Sequence, residues 1–270
     1  MSLTLEKNGP AIAFVKPSEA DKKKAGKKEK INVYVADAPP TMPTVGGSIF
    51  TPPKHEGERT MIFKDELQPI PYRMKGQRSA VYVVGASGSG KSTFIANCIK
   101  TQPKKDVYLF TTATDMDPAL EKIKRLKKVN YMKAKENIKD VTVDDLKDSI
   151  CIFDDHDNST DREINRILQT LVNSILENGR KLKIDMYVVS HNPRDFLRTR
   201  TLILECDSFV VFPQTNRVAT VRFLKEYFDD DKNFLQKMKF LNDGGRFTFA
   251  MFHKNVPRYM VTKHSVQLLD

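Results

Sequence analysis

No apolar run in this sequence approaches the roughly eighteen residues that a membrane-spanning helix needs. Residues 1–4 lack the pattern of a signal peptide, so a soluble chain kept in the cytosol is expected. Cysteine is scarce. Cys98, Cys151 and Cys206 lie far apart, and an odd number without C-x-x-C spacing argues against a disulfide framework or a zinc site. Buried free thiols are the expected state, since free cysteine behaves as a small hydrophobe. There is no internal repeat, which removes the solenoids and propellers.

The chain does have enough apolar residues, 40% of 270, for one sizeable α/β domain with extensions. It also has a surplus of positive charge, formally +11. Residues 1–60 hold ten Lys/Arg against seven Asp/Glu, a net +3, so +8 belongs to the remainder. A basic folded domain points to a polyanionic partner, most simply nucleic acid, with an evenly solvated surface as the plainer alternative.

Residues 1–60 differ in texture from the rest. A lysine run over 21–30 and prolines at Pro39, Pro40, Pro43, Pro52 and Pro53 predict a basic, extended or partly disordered arm with one short strand at 31–35. Its role is open between contacting nucleic acid or a neighbouring subunit and serving as a tail. Residues 61–270 then form the second unit. Strands are predicted at 80–84, 107–112, 129–132, 149–153, 185–190 and 208–212. Helices are predicted at 91–100, 118–127, 163–178, 216–227 and 229–240, and a terminal hairpin pairs 246–252 with 259–261. Alternating strands and helices imply an α/β fold with a mostly parallel central sheet covered by helices on both faces.

Gly85, Ala86, Ser87, Gly88, Ser89, Gly90, Lys91 and Ser92 spell G-x-x-x-x-G-K-[ST] between a β-branched strand and a helix. The glycines let successive backbone N–H groups face an anion, and the helix start adds partial positive charge. Lys91 is expected to reach the β- and γ-phosphates of a nucleotide, Ser92 to ligate Mg²⁺, and Thr93 to lie near the α-phosphate.

The run Ile150-Cys151-Ile152-Phe153-Asp154-Asp155 ends an apolar strand on two acids. Asp154 is placed to hold Mg²⁺ through water and Asp155 to polarise the attacking water as a general base. Isolated aspartates at a strand end are commonly a solvated turn. Downstream of a P-loop, a paired acid marks a hydrolysing NTPase, with ATP as substrate.

The next strand ends Ser190-His191-Asn192, where Asn192 or His191 is positioned to sense the γ-phosphate; a turn before Pro193 is the alternative. Arginines follow at Arg180, Arg194, Arg198, Arg200, Arg217 and Arg222; in oligomeric NTPases one such arginine often completes a neighbouring subunit's site, and most of the others are surface charges or DNA contacts. Arg180 and Arg200 are the first to test. N-K-x-D, L-S-G-G-Q and the helicase motif sets are all missing, which argues against GTPases, ABC cassettes and helicases.

The P-loop, the acidic strand, and Gly179-Arg180 leading into Ser190-His191-Asn192 resemble the genome-packaging ATPases of large double-stranded DNA viruses, within the FtsK/HerA superfamily. The likeness covers roughly residues 75–215. The sensor strand of that group typically ends Ser-Gln, where this chain has Ser190-His191-Asn192. The resemblance implies a RecA-like (ASCE) core with strand order 5-1-4-3-2, and a homo-oligomeric ring of five or six subunits around double-stranded DNA. It further implies ATP-driven packaging with viral capsid components, in the host cytoplasm or viral factory and in the virion. The competing expectations are a nucleotide-dependent switch or assembly ATPase, and a P-loop kinase.

Overall fold

The computed structural model describes residues 2–5, 7, 9–16, 31–36, 59–71, 78–131, 138–154, 161–193, 199–213, 217–228 and 247–269. The lysine run, the five prolines, Asp155, Arg194, Arg198, Arg246 and the helix expected at 229–240 lie outside them.

In chain order the strands are β1 (Ser2–Thr4), β2 (Ala11–Val15), β3 (Asn32–Ala36), β4 (Thr60–Ile62), β5 (Leu67–Pro69), β6 (Ala80–Val84), β7 (Asp106–Thr111), β8 (Leu126–Asn130), β9 (Ser149–Asp154), β10 (Asp185–Ser190), β11 (Ser208–Val211), β12 (Ala250–His253), β13 (Tyr259–Thr262) and β14 (Ser265–Leu268). The helices are α1 (Lys91–Thr101), α2 (Pro118–Glu121), α3 (Arg162–Leu182), α4 (Arg200–Glu205) and α5 (Arg217–Phe228).

The central sheet runs β4-β14-β13-β12-β11-β6-β10-β9-β7-β8. Its segment from β11 to β8 is parallel throughout. Numbered from the P-loop strand β6, with β7, β9, β10 and β11 as second to fifth, the order is 5-1-4-3-2, with β8 added outside. Strands buried on both faces read as continuous apolar runs. In β6, Ala80, Tyr82 and Val84 face α3, α4 and α5, while Val81 and Val83 face α1 and α2.

Two local readings change. Residues 118–127 were expected to form one basic helix, but α2 stops at Glu121 and Leu126–Asn130 is strand β8. Pairing with the open edge of β7 overrides helix propensity there. Lys127 completes the edge, donating to Asp106 Oδ2 at 2.8 Å and lying 5.1 Å over the Tyr108 ring; lysines on an edge strand also discourage pairing with other chains. The terminal hairpin is in turn an antiparallel meander of β12, β13 and β14, extended by β4.

Within residues 1–60 the strand expected at 31–35 is β3, but β1 and β2 accompany it in an antiparallel sheet, β1-β3-β2-β5. Leu3, Ile12, Ala13, Val33 and Val35 from this sheet share a core with Tyr259, Val261, Val266 and Leu268. A three-residue strand and a five-residue apolar run are too short for periodicity to tell strand from helix. Packing on a distant meander creates them.

Burial sets the chemistry of several interior groups. Cys98, Cys151 and Cys206 are free and buried, and burial pushes the Cys151 and Cys206 thiols up to about 12. They are therefore core residues and not nucleophiles. Asp185, fully buried, accepts from the Ser79 backbone N–H at 2.8 Å and pairs with Lys105 at 3.2 Å. His253 is 1% exposed, with Nδ1 3.0 Å from Ser208 Oγ and its ring stacked on Tyr259.

Desolvation, assisted by the neighbouring Lys254 charge, lowers the His253 pKa to about 4. The unfolded chain takes up this proton near pH 6.5 while the folded protein resists it, so the stabilisation is complete above pH 6.5. It falls as the pH drops from there towards 4, by on the order of 3 kcal/mol. Urea unfolding at pH 7 and pH 5 is expected to show about 2 kcal/mol of this loss, and His253→Gln to flatten it. An unchanged acid slope in the variant would assign the effect to other groups.

Candidate functional site: a phosphate-binding loop at the end of the central strand

Gly85 follows the last residue of β6, and the loop closes into α1 at Lys91. Gly90 caps the helix with φ 101°, a left-handed conformation that favours glycine. The first turn of α1 has no acidic residue, and Gly90 makes no side-chain cap. Its N–H groups and partial positive charge are therefore available to an anion. Gly85 is needed for a different reason: a Cβ there would stand 2.7 Å from Phe212 Cβ and 2.7 Å from Ser89 Oγ.

Lys91 is almost buried and folds back on its own loop, donating to Gly85 O at 2.7 Å and Ala86 O at 2.9 Å. Ser89 is 2% exposed, and its Oγ has no hydrogen-bond partner. A curled loop, a buried hydroxyl without a partner and a lysine held at the loop's centre suit a polyphosphate. Ser92 is half-buried and Thr93 exposed at the start of α1.

Asp154 ends β9 and is partly buried. Register places it beside Val189 of β10, which pairs on its other side with Val83 of β6. The Asp154 backbone is thus two strand spacings, about 10 Å, from the P-loop strand. That separation leaves room for a hydrated cation, and a hydroxyl from Ser92 with a carboxylate from Asp154 is the hard oxygen donor set that Mg²⁺ prefers. Among the described residues no cluster of three or more His, Cys, Asp or Glu forms a metal site by itself.

The end of β10 is tied directly to the P-loop. Ser190 pairs with Val84, and the Gly85 N–H donates to Ser190 O at 3.2 Å. Tyr82 Oη donates to Asn192 O at 2.9 Å, Ser190 Oγ donates to the same carbonyl at 3.0 Å, and the Asn192 N–H donates to Ser190 Oγ at 3.2 Å. These bonds hold the backbone of 190–192 while the Asn192 side chain stays exposed and His191 half-buried. Sequence reasoning missed Tyr82, because a tyrosine in a buried strand reads as core.

Arg180 lies elsewhere. It is in the last turn of α3, at the edge where the strands begin, 3.9 Å from Asp207 Oδ1. Asp207 in turn accepts from the Ala80 N–H, at the start of β6, at 3.0 Å. The length of β6, about 17 Å, therefore separates Arg180 from its own P-loop. Arg200 is exposed at the start of α4 and Arg222 exposed on α5.

The 5-1-4-3-2 order, with a phosphate-binding loop after the central strand, defines a RecA-like P-loop ATPase fold. Among solved structures, the chain is similar to the pCW3 conjugation coupling protein TcpA, in its monomer form with ATPγS. The two are 14% identical with a TM-score of 0.52, over 100% of this chain and 88% of that chain. In sequence it is similar to protein V3 of Sputnik virophage, 29% identical over 211 residues, covering 71% of this chain and 81% of that protein. No protein-family model matches. The comparisons therefore give this chain a viral relative in sequence and a RecA-like P-loop ATPase fold in structure. Among the described residues, no helix is long and apolar enough to cross a membrane.

Proposed function

We propose that this protein is an ATP-hydrolysing translocase that packages a viral double-stranded DNA genome into its capsid. The observation that carries the reading is the tie between the Gly85 N–H and Ser190 O, which couples the phosphate loop to the end of β10, just before His191 and Asn192. Loss of the γ-phosphate would be felt at that strand end and passed along β10.

In this reading the loop Gly85 to Thr93 holds the phosphates of ATP and Lys91 moves from its loop carbonyls to the β- and γ-phosphates. Ser92 and Asp154 would hold Mg²⁺, which neutralises charge on the phosphate oxygens. Asp155 polarises the attacking water, and Asn192 or His191 senses the γ-phosphate. Arg180, remote from its own P-loop, would act on a neighbour's nucleotide within a ring of five or six subunits. The net charge of +11 favours duplex DNA as the substance moved, through phosphate contacts indifferent to sequence. Capsid components in the host cytoplasm would be the remaining partners, and the basic arm over 1–60 a further contact to DNA or to a neighbouring subunit.

Phosphate release with and without linear duplex DNA tests this. Strong stimulation near about 50 mM salt that collapses by about 200 mM is expected of a motor held by several phosphate contacts. Slow release unaffected by DNA would favour a nucleotide-dependent switch, and a phosphorylated acceptor in place of free phosphate would identify a kinase.

A further inference from the structure

A P-loop reads phosphate through backbone N–H groups and one lysine, so whatever grips the base of a nucleotide must come from another part of the chain. An aromatic cluster lies beside the loop. Phe94 on α1, Phe212 just after β11 and Phe249 just before β12 are all buried. Phe249 packs edge-on against Phe94, with centroids 5.0 Å apart, and lies 6.0 Å from Phe212. This anchors the chain entering β12 to the helix that the P-loop begins. Two residues before the anchor, Phe247 reaches the loop itself: a Cβ at Gly90 would stand 3.2 Å from Phe247 Cδ1. Unlike its three neighbours, Phe247 is 60% exposed.

Resting on the reading of this loop as a nucleoside-triphosphate site, we propose that Phe247 is its base-stacking residue and carries the site's preference for a nucleotide over bare polyphosphate. Phe249 and Phe212 hold the segment in place, and the exposed Phe247 ring lies next to the phosphate cradle. An exposed phenylalanine gains little from water, whereas a nucleobase offers it a π-face of matching size. Stacking of this kind is tolerant of base identity, so the residue selects for the presence of a base. Finer discrimination among bases would fall to hydrogen-bonding groups.

The test compares the Kd of ATP and of inorganic tripolyphosphate, both with Mg²⁺, for wild type, Phe247→Ala and Phe247→Tyr. The alanine variant is expected to bind ATP roughly tenfold or more weakly and tripolyphosphate within about twofold of wild type, with the tyrosine variant close to wild type for both. An unchanged ATP affinity in Phe247→Ala, or an equal loss for both ligands, would overturn the stacking role; equal loss would mean that the ring only shapes the loop. If wild type bound neither ligand, the nucleotide-site reading itself would fall and this role with it.

Discussion

Lys91→Ala is expected to lose ATP binding at concentrations that saturate the wild type. Lys91 Nζ is held by Gly85 O and Ala86 O at 2.7 and 2.9 Å, at the centre of the loop. An ammonium exchanging those carbonyls for β- and γ-phosphate oxygens makes charge-assisted bonds in a nearly buried setting. Losing two such bonds raises Kd by about a hundredfold or more, taking roughly 1.5–3 kcal/mol for each. Lys91→Arg is expected to recover little, because a planar guanidinium does not fit where a compact ammonium is enclosed. Titration calorimetry measures the effect, with circular dichroism confirming that the variant folds. Wild-type affinity in a folded Lys91→Ala would show that the loop does not hold the phosphates.

Asp155→Asn is expected to separate binding from turnover. Asp154 ends β9 at the register position two strands from the P-loop strand, and Asp155 is the next residue in the chain. In the proposed function Asp154 holds the cation and Asp155 would take the proton from water, which asparagine could not accept. Loss of a general base typically slows turnover by about 10²–10⁴-fold. The affinity for ATP should change far less, because the phosphate contacts belong to the loop. Single-turnover phosphate release beside a binding titration reads both quantities. Normal turnover in Asp155→Asn would move the base to another residue, and loss of binding would place Asp155 among the groups that hold nucleotide.

Much of the site was legible in the sequence because it is local. A P-loop needs glycines, a lysine and a hydroxyl within one turn of chain, and the left-handed φ of 101° at Gly90 is a demand that a single residue type meets cheaply. The parallel strands were legible for a similar reason, since burial on both faces leaves unbroken apolar runs such as Val81-Tyr82-Val83-Val84.

What depended on distant partners was not legible. Leu126 and Lys127 read as the end of a helix, with a strand only from 129, until β7 offers an unpaired edge along Leu126–Asn130. β1 is only three residues and β2 a five-residue apolar run that could be strand or helix, until the meander at the far end of the chain gives them a core. Phe212 and Phe247 reach the loop only through the pairing that sets β11 beside β6 and β12 beside β11. Arg180 shows the same division. Its sequence neighbours mark it as a candidate finger, but only the antiparallel run of α3 places it at the opposite edge of the sheet from its own P-loop. The sequence by itself determined the chemistry that needs adjacent residues. The tertiary structure decided which remote side chains meet it, because those contacts arise only when strands of large sequence separation pair.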